Sequence, residues 1–152
     1  MVENRRINPL DQYSKPIREE TTELSTIFWL NPRDSKKGRL FVPMFDERFP
    51  LKFPVKYVYV SEFLVKDNAS GNHFHRVKQE ILIPLDGAFE IYLEDTRTKI
   101  RETLLLTAKE KKAVYVRTGI AHRVVSKEDT GVLLVLTSNH STLEDEIEYT
   151  VA

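Results

Sequence analysis

The sequence predicts an all-β protein, a sandwich or jelly-roll barrel, and three observations predict it. Seven or eight short runs rich in β-branched, aromatic and aliphatic residues recur at spacings of roughly 8–12 residues. No long amphipathic stretch of helical period lies between them. Turn signals such as Asn31-Pro32, Asp67-Asn68 and Asp86-Gly87 separate the runs.

Residues 1–36 read as an N-terminal extension and residues 37–152 as the β domain. In the extension, Ser14 and Pro16 ahead of Arg18 to Leu24 suit the start of a short helix. Ser25 to Leu30 suits a strand, though the apolar run is too short to decide. Asn31 to Ser35 reads as a turn. Arg39 to Met44 and Phe53 to Val60 are the first strands of the main domain, the second with Val55, Tyr57 and Tyr59 on one face. Asp67 to Gly71 reads as a loop. Ile81 to Leu85 follows, then a turn at Asp86-Gly87. Ala88 to Glu94 alternates Phe89, Ile91 and Leu93 against Glu90, Tyr92 and Glu94, the period of a half-buried strand. After a hairpin turn at Asp95 to Thr98 come Lys99 to Leu106, Ala113 to Val116, His122 to Val125 and Val132 to Leu136. The acidic tail, Ser141 to Tyr149, suits one helical turn or an edge strand.

The chain has 152 residues, enough for one domain with a substantial core. Its formal net charge is zero, so nothing in the balance points to nucleic acid or a membrane surface as partner. There are no cysteines, which excludes disulfide and thiolate chemistry and is compatible with a cytoplasmic location. The N-terminus has no apolar h-region, and no apolar run approaches the ~20 residues a membrane-spanning helix needs.

Chemistry concentrates in the histidines. There are four: His73, His75, His122 and His140. On a strand His73 and His75 share a face. Glu80 opens the next apolar run, within reach if the two strands pair, and Gly119-x-x-His122 lies further along. Two chemistries use such a set. Three neutral imidazoles and a carboxylate, His73, His75, His122 and Glu80, suit one divalent ion (Zn, Fe, Mn or Ni) with open positions for substrate. Without a metal or any other cofactor, an imidazole that titrates near neutrality suits proton removal beside a carbonyl. His140 reads as a loop residue.

The spacing H-x-H-x4-E-x6-G, from His73 to Gly87, resembles the first motif of the cupin superfamily. Gly119-x-x-His122 resembles the core of the second, with Arg117 where cupins usually carry proline. From Gly38 to about Tyr149 the chain more narrowly resembles the cupin sugar 3,4-ketoisomerases, the WxcM-like proteins. Lys37-Gly38-Arg39-Leu40 is similar to that family's R-G-S-L, and Phe53 to Tyr59 to its P-F-x-I-K-R-V-Y. Gly71-Asn72-His73-Phe74-His75 is similar to its R-G-x-H-A-H. Val114 to His122, with Val135 to Ser138, is similar to its L-Y-V-G-P-x-x-W-H and V-L-A-S stretches. The departures are Ser70 and Tyr57 in place of arginines, Ala121 in place of tryptophan, and Gln79-Glu80 in place of Glu-Gln. The last puts a carboxylate at the metal-ligand position. The Gly71-Asn72-His73-Phe74-His75 stretch also resembles the zinc-binding cupin domain of capsular-polysaccharide epimerase/reductases.

The resemblance implies a cupin jelly-roll (double-stranded β-helix) barrel. It implies an isomerase that moves a ketone between C4 and C3 of a dTDP-linked 4-keto-6-deoxyhexose, or epimerises beside it. In that reading His73 or His75 moves the proton and Tyr59 donates to the enolate oxygen. Arg39, Lys56, Tyr57, Arg117 and His122 contact the nucleotide sugar. The alternatives are a metal-dependent cupin using His73, His75, Glu80 and His122, with epimerase or oxygenase activity, and a non-catalytic sugar-binding cupin. Analogy with other cupins implies a homodimer, with residues 1–36 a candidate for strand exchange.

Overall fold

The computed structural model describes residues 14–51 and 53–151. The described residues form thirteen strands and one short 3-10 turn at Ala108–Glu110. All strand pairings are antiparallel. The larger sheet has six strands in the order β1 (Arg18–Thr21), β2 (Ser25–Trp29), β10 (Lys112–Val116), β7 (Glu80–Asp86), β12 (Gly131–Thr137) and β5 (Tyr57–Phe63). The smaller has five: β13 (Ile147–Glu148), β6 (Ala69–Phe74), β11 (Ile120–Ser126), β8 (Ala88–Asp95) and β9 (Arg101–Thr107). A hairpin of β3 (Arg33–Lys36) and β4 (Arg39–Phe41) stands apart. This is the jelly roll that the strand pattern predicts, in the form that the resemblance to cupins implies.

The two sheets face each other over one core. Phe89, Ile91 and Leu93 on β8 meet Leu82 on β7 and Leu133 and Val135 on β12, and Phe63 stacks edge-on against Phe89 at 5.1 Å. A second apolar layer covers the outer face of the larger sheet. There Phe49 and Phe53, from the segment after β4, pack on Phe28, Ile81, Ile83 and Leu136. That layer explains the unbroken apolar run Ile81-Leu82-Ile83-Pro84: β7 is buried on both faces, so its residues have no reason to alternate.

Several local expectations change. Arg18 to Thr21 is a strand, not the start of a helix, because its backbone pairs with β2 from Arg18↔Trp29 to Thr21↔Thr26. Through β2, which pairs with β10, Arg18–Thr21 and Ser25–Trp29 are part of the larger sheet. The turn expected at residues 31–35 instead enters β3, and the chain reverses at Gly38, whose φ of 77° suits glycine. β5 starts only at Tyr57, three residues after Pro54. Gly71, expected in a loop, lies within β6. The tail supplies both a turn near Thr142 and the edge strand β13.

Candidate active site

β6 and β11 bring the first histidines together. His73 on β6 is registered opposite His122 on β11, and a bulge follows between His122 and Arg123. Gly71 makes this approach possible. Its φ is 100°, and a Cβ there would stand 2.4 Å from the His122 carbonyl oxygen and 3.1 Å from Arg123 Cα. Asn72 is also left-handed, with φ 57°. We expect Gly71→Ala to cost at least about 2 kcal/mol, because backbone must move and the strained φ remains. Thermal unfolding measures the loss, and an unchanged midpoint would contradict this account of β6.

The rings of His73 and His75 lie 4.7 Å apart, those of His73 and His122 4.8 Å, and those of His75 and His122 5.6 Å. One nitrogen from each falls within 4.8 Å of the others. Glu80, first residue of β7, enters from the opposite sheet. Its Oε1 is 3.5 Å from His75 Nε2 and its Oε2 3.3 Å from His122 Nε2. Thus the four residues of the sequence motifs converge between the sheets.

The proton positions follow from their partners. His75 Nδ1 lies 2.9 Å from the Asp145 carbonyl oxygen and His122 Nδ1 3.4 Å from that of Ile120. A carbonyl only accepts, so both Nδ1 atoms donate. In the neutral rings both Nε2 lone pairs then point toward the Glu80 carboxylate. His75 Nε2 is buried and has no hydrogen-bond partner among the described residues.

Lys78 was not among the residues the sequence singles out. Its side chain is 2% exposed, and its Nζ lies 3.0 Å from Glu80 Oε1 and donates to Ser141 Oγ at 2.8 Å. Burial pushes the Glu80 carboxyl upward, but His122, Lys78 and His75 together outweigh it and hold it below its usual range. Burial, then the neighbouring His122 and His75, lowers His73 to about 4. Burial likewise lowers His75.

These shifts have a stability consequence. The unfolded chain protonates His73 near 6.5 and the folded chain only near 4. The contribution of the neutral ring is therefore complete above pH 6.5 and is lost as pH falls toward 4, about 3 kcal/mol at most for His73. His75 acts in the same direction. The Glu80 contribution is present above 4.5 and lost on further acidification. Denaturant midpoints should fall between pH 7 and 4.5, and less steeply in His73→Gln. A flat profile in the wild type would contradict this.

A cavity of about 240 Å³ opens onto the cluster, lined by Tyr59, Ser61, Ser70, His73, Glu80 and His122 over an apolar floor that includes Leu82 and Leu133. His73 and His122 are therefore the imidazoles of the cluster that line the cavity, and His75 lies behind them, 3% exposed. Burial, then Glu80, raises the Tyr59 phenol, so it stays protonated. The Tyr57 ring lies 5.7 Å from that of Tyr59 and 4.7 Å from His140. Arg39 on β4 and Lys56 are exposed and do not line the cavity. Arg117 also lies outside it, with Nη2 3.4 Å from Asp95 Oδ2.

The profile of the family described as FdtA: WxcM-like, C-terminal matches residues 21–150. No curated protein sequence matches the chain. Among solved structures, the chain resembles the dTDP-6-deoxy-D-glucose-3,5-epimerase RmlC from Legionella pneumophila, in complex with dTDP-4-keto-L-rhamnose. The TM-score is 0.76 at 13% identity, over 86% of this chain and 76% of that one. It also resembles the sugar 3,4-ketoisomerase QdtA from Thermoanaerobacterium thermosaccharolyticum, in complex with TDP (TM-score 0.72, 21% identity, 84% of this chain and 89% of that one). WlaRA, a TDP-fucose-3,4-ketoisomerase from Campylobacter jejuni, aligns with a TM-score of 0.69 at 21% identity, over 81% of this chain and 87% of that one.

Proposed function

The chain belongs to the FdtA family of WxcM-like, C-terminal proteins, and from that premise we propose that it is an isomerase or epimerase of a nucleotide-linked 4-keto-6-deoxy sugar. The observation that carries the reading is a cavity lined by His73, His122, Glu80 and the Tyr59 phenol, with His75 packed directly behind them. At about 240 Å³ the cavity is below the roughly 300–1,000 Å³ of pockets that enclose drug-sized ligands. It takes the sugar ring and leaves the nucleotide outside. The solved RmlC and QdtA structures it resembles hold dTDP-4-keto-L-rhamnose and TDP, which supports this class of ligand.

The chemistry starts at the ketone, which acidifies the neighbouring C–H. A neutral imidazole of the His73–His75 pair removes the C3 proton, and the electron pair moves onto the C4 oxygen. Tyr59 donates a hydrogen bond to that oxygen as charge develops. The enediolate collapses by taking a proton at C4 from the protonated imidazole while the C3 hydroxyl proton passes to the C4 oxygen, leaving the ketone at C3, a hydroxyl at C4 and the imidazole neutral again. Return of the proton to C3 from the other face gives epimerisation instead. His73, lowered to about 4, is neutral near pH 7 and free to accept.

One observation favours a second reading, a metal-dependent cupin. Two lone-pair nitrogens facing one carboxylate, with His75 Nε2 unpartnered, form a slot that a cation fits. His73, His75, His122 and Glu80 would hold a divalent ion, which supplies Lewis-acid polarisation of a substrate oxygen when bound.

Incubation with a panel of TDP-linked 4-keto-6-deoxy sugars in heavy water tests the proposal. Deuterium should enter beside the ketone and a shifted or epimerised product should accumulate. Tight sugar binding without any exchange would leave a non-catalytic binding protein. Elemental analysis separates the two chemistries: stoichiometric metal in the wild type that is lost in Glu80→Ala establishes the second.

A further inference from the structure

We propose that Asp145 is a positioning residue that locks His75 with its proton on Nδ1 and its lone pair on Nε2. The loop from His75 to Lys78 joins β6 to β7 and leaves strand pairing. Three successive amides of this loop are gathered by one carboxylate: Asp145 Oδ1 accepts from Arg76 N at 2.9 Å and Val77 N at 3.0 Å, and Oδ2 from Lys78 N at 2.9 Å. Such a row of backbone N–H groups is an anion-binding concavity, here filled from within the chain. The carbonyl oxygen of the same residue accepts from His75 Nδ1 at 2.9 Å. One residue therefore holds both the loop and the ring.

The segment that carries Asp145 is itself tied down. Asp145 N donates to the Thr142 carbonyl at 3.2 Å, and Ile147 and Glu148 pair with Phe74 and His73. Ser141, in the same stretch, accepts from Lys78 Nζ and helps aim it at Glu80. Loss of the Asp145 carboxylate frees three amides at once and lets its carbonyl leave Nδ1. The ring's Nδ1–H then has no fixed acceptor, and its Nε2 lone pair no fixed direction. Partners of this kind fix the tautomer and orientation of functional histidines whether the working nitrogen takes a proton or a metal.

The kinetic side of this inference rests on the proposed function, but the tautomer does not. Long-range proton–nitrogen NMR of the full chain, labelled at histidine, reads the tautomer directly. In the wild type near pH 7 the His75 signals should show a protonated Nδ1 and a lone-pair Nε2. In Asp145→Ala they should shift toward a tautomer mixture, with kcat for deuterium exchange down about 10–100-fold and KM little changed. Asp145→Asn, which keeps one acceptor oxygen, should fall between. A wild-type proton on Nε2, or an Asp145→Ala protein with unaltered tautomer and unaltered kcat, overturns the proposal. Should Asp145→Ala fail to fold, the wild-type and Asp145→Asn spectra decide. Wild-type protein that turns over none of the sugars removes the isomerase reading and leaves the spectra to decide the positioning role.

Discussion

His73→Ala and His75→Ala should each lower solvent-deuterium exchange by about 10²–10⁴-fold, the usual contribution of a positioned acid or base, and the double variant should bring it to background. His73 should act most directly, because its ring lines the cavity. His75 should act through its Nε2, which faces Glu80 and has no hydrogen-bond partner among the described residues. Neither ring belongs to the apolar cluster between the sheets, so the unfolding midpoint should change far less than the rate. Circular dichroism and thermal melts of each variant separate the two effects. A double alanine variant with wild-type turnover would remove the imidazoles from the chemistry altogether.

Breaking the Lys78–Glu80 pair should give the largest change in stability. The two side chains are 2% and 4% exposed and their charged atoms lie 3.0 Å apart. Such a pair offers little net gain over apolar packing, but removing one partner leaves a buried charge uncompensated, at about 3–5 kcal/mol. Glu80→Leu strands the Lys78 ammonium with Ser141 as its remaining hydrogen-bond partner. Lys78→Met leaves the Glu80 carboxylate facing two imidazole nitrogens. The double substitution should cost much less than the two single costs combined, since neither charge is then stranded. Urea denaturation of the four proteins measures the coupling. Additive losses would mean that the two groups do not act as a pair.

The core strands were legible in sequence in two ways: β8 by the alternation of a strand with one face in the core, and β7 as an unbroken apolar run because both its faces are buried. β8 alternates as its residues demand: Phe89, Ile91 and Leu93 are buried to within 1%. The exception on its outer face, Glu94, is buried at 3% because Tyr149 donates to it and Arg101 covers it, contacts from elements distant or across a hairpin. β1 was not legible. Arg18 to Thr21 carries no apolar face at all, and only pairing with β2 makes it a strand.

The side chains of the cluster were legible from the spacing along neighbouring strands. His73 and His75 are two apart on a strand, so their common direction follows from the pleat, and Glu80 follows at a spacing that one loop spans. Lys78 gave no such signal, because a lysine two residues from a glutamate reads as solvated surface. Asp145 gave none either: it lies 70 residues from His75. Arg39, Lys56 and Arg117, selected for their charge, stand outside the cavity because charge alone carries no information on direction.

By itself the sequence determined the all-β class, the outline of the core and the imidazoles and carboxylate available for chemistry, since each rests on periodicity or spacing within one or two neighbouring strands. Only the tertiary structure decided that Lys78 pairs with Glu80, that Asp145 holds His75 and that His73 and His122, not His75, line the cavity. Asp145 reaches His75 across 70 residues of chain, and Lys78 turns inward onto its near neighbour Glu80 only because Ser141 and the closed sheets bury it there.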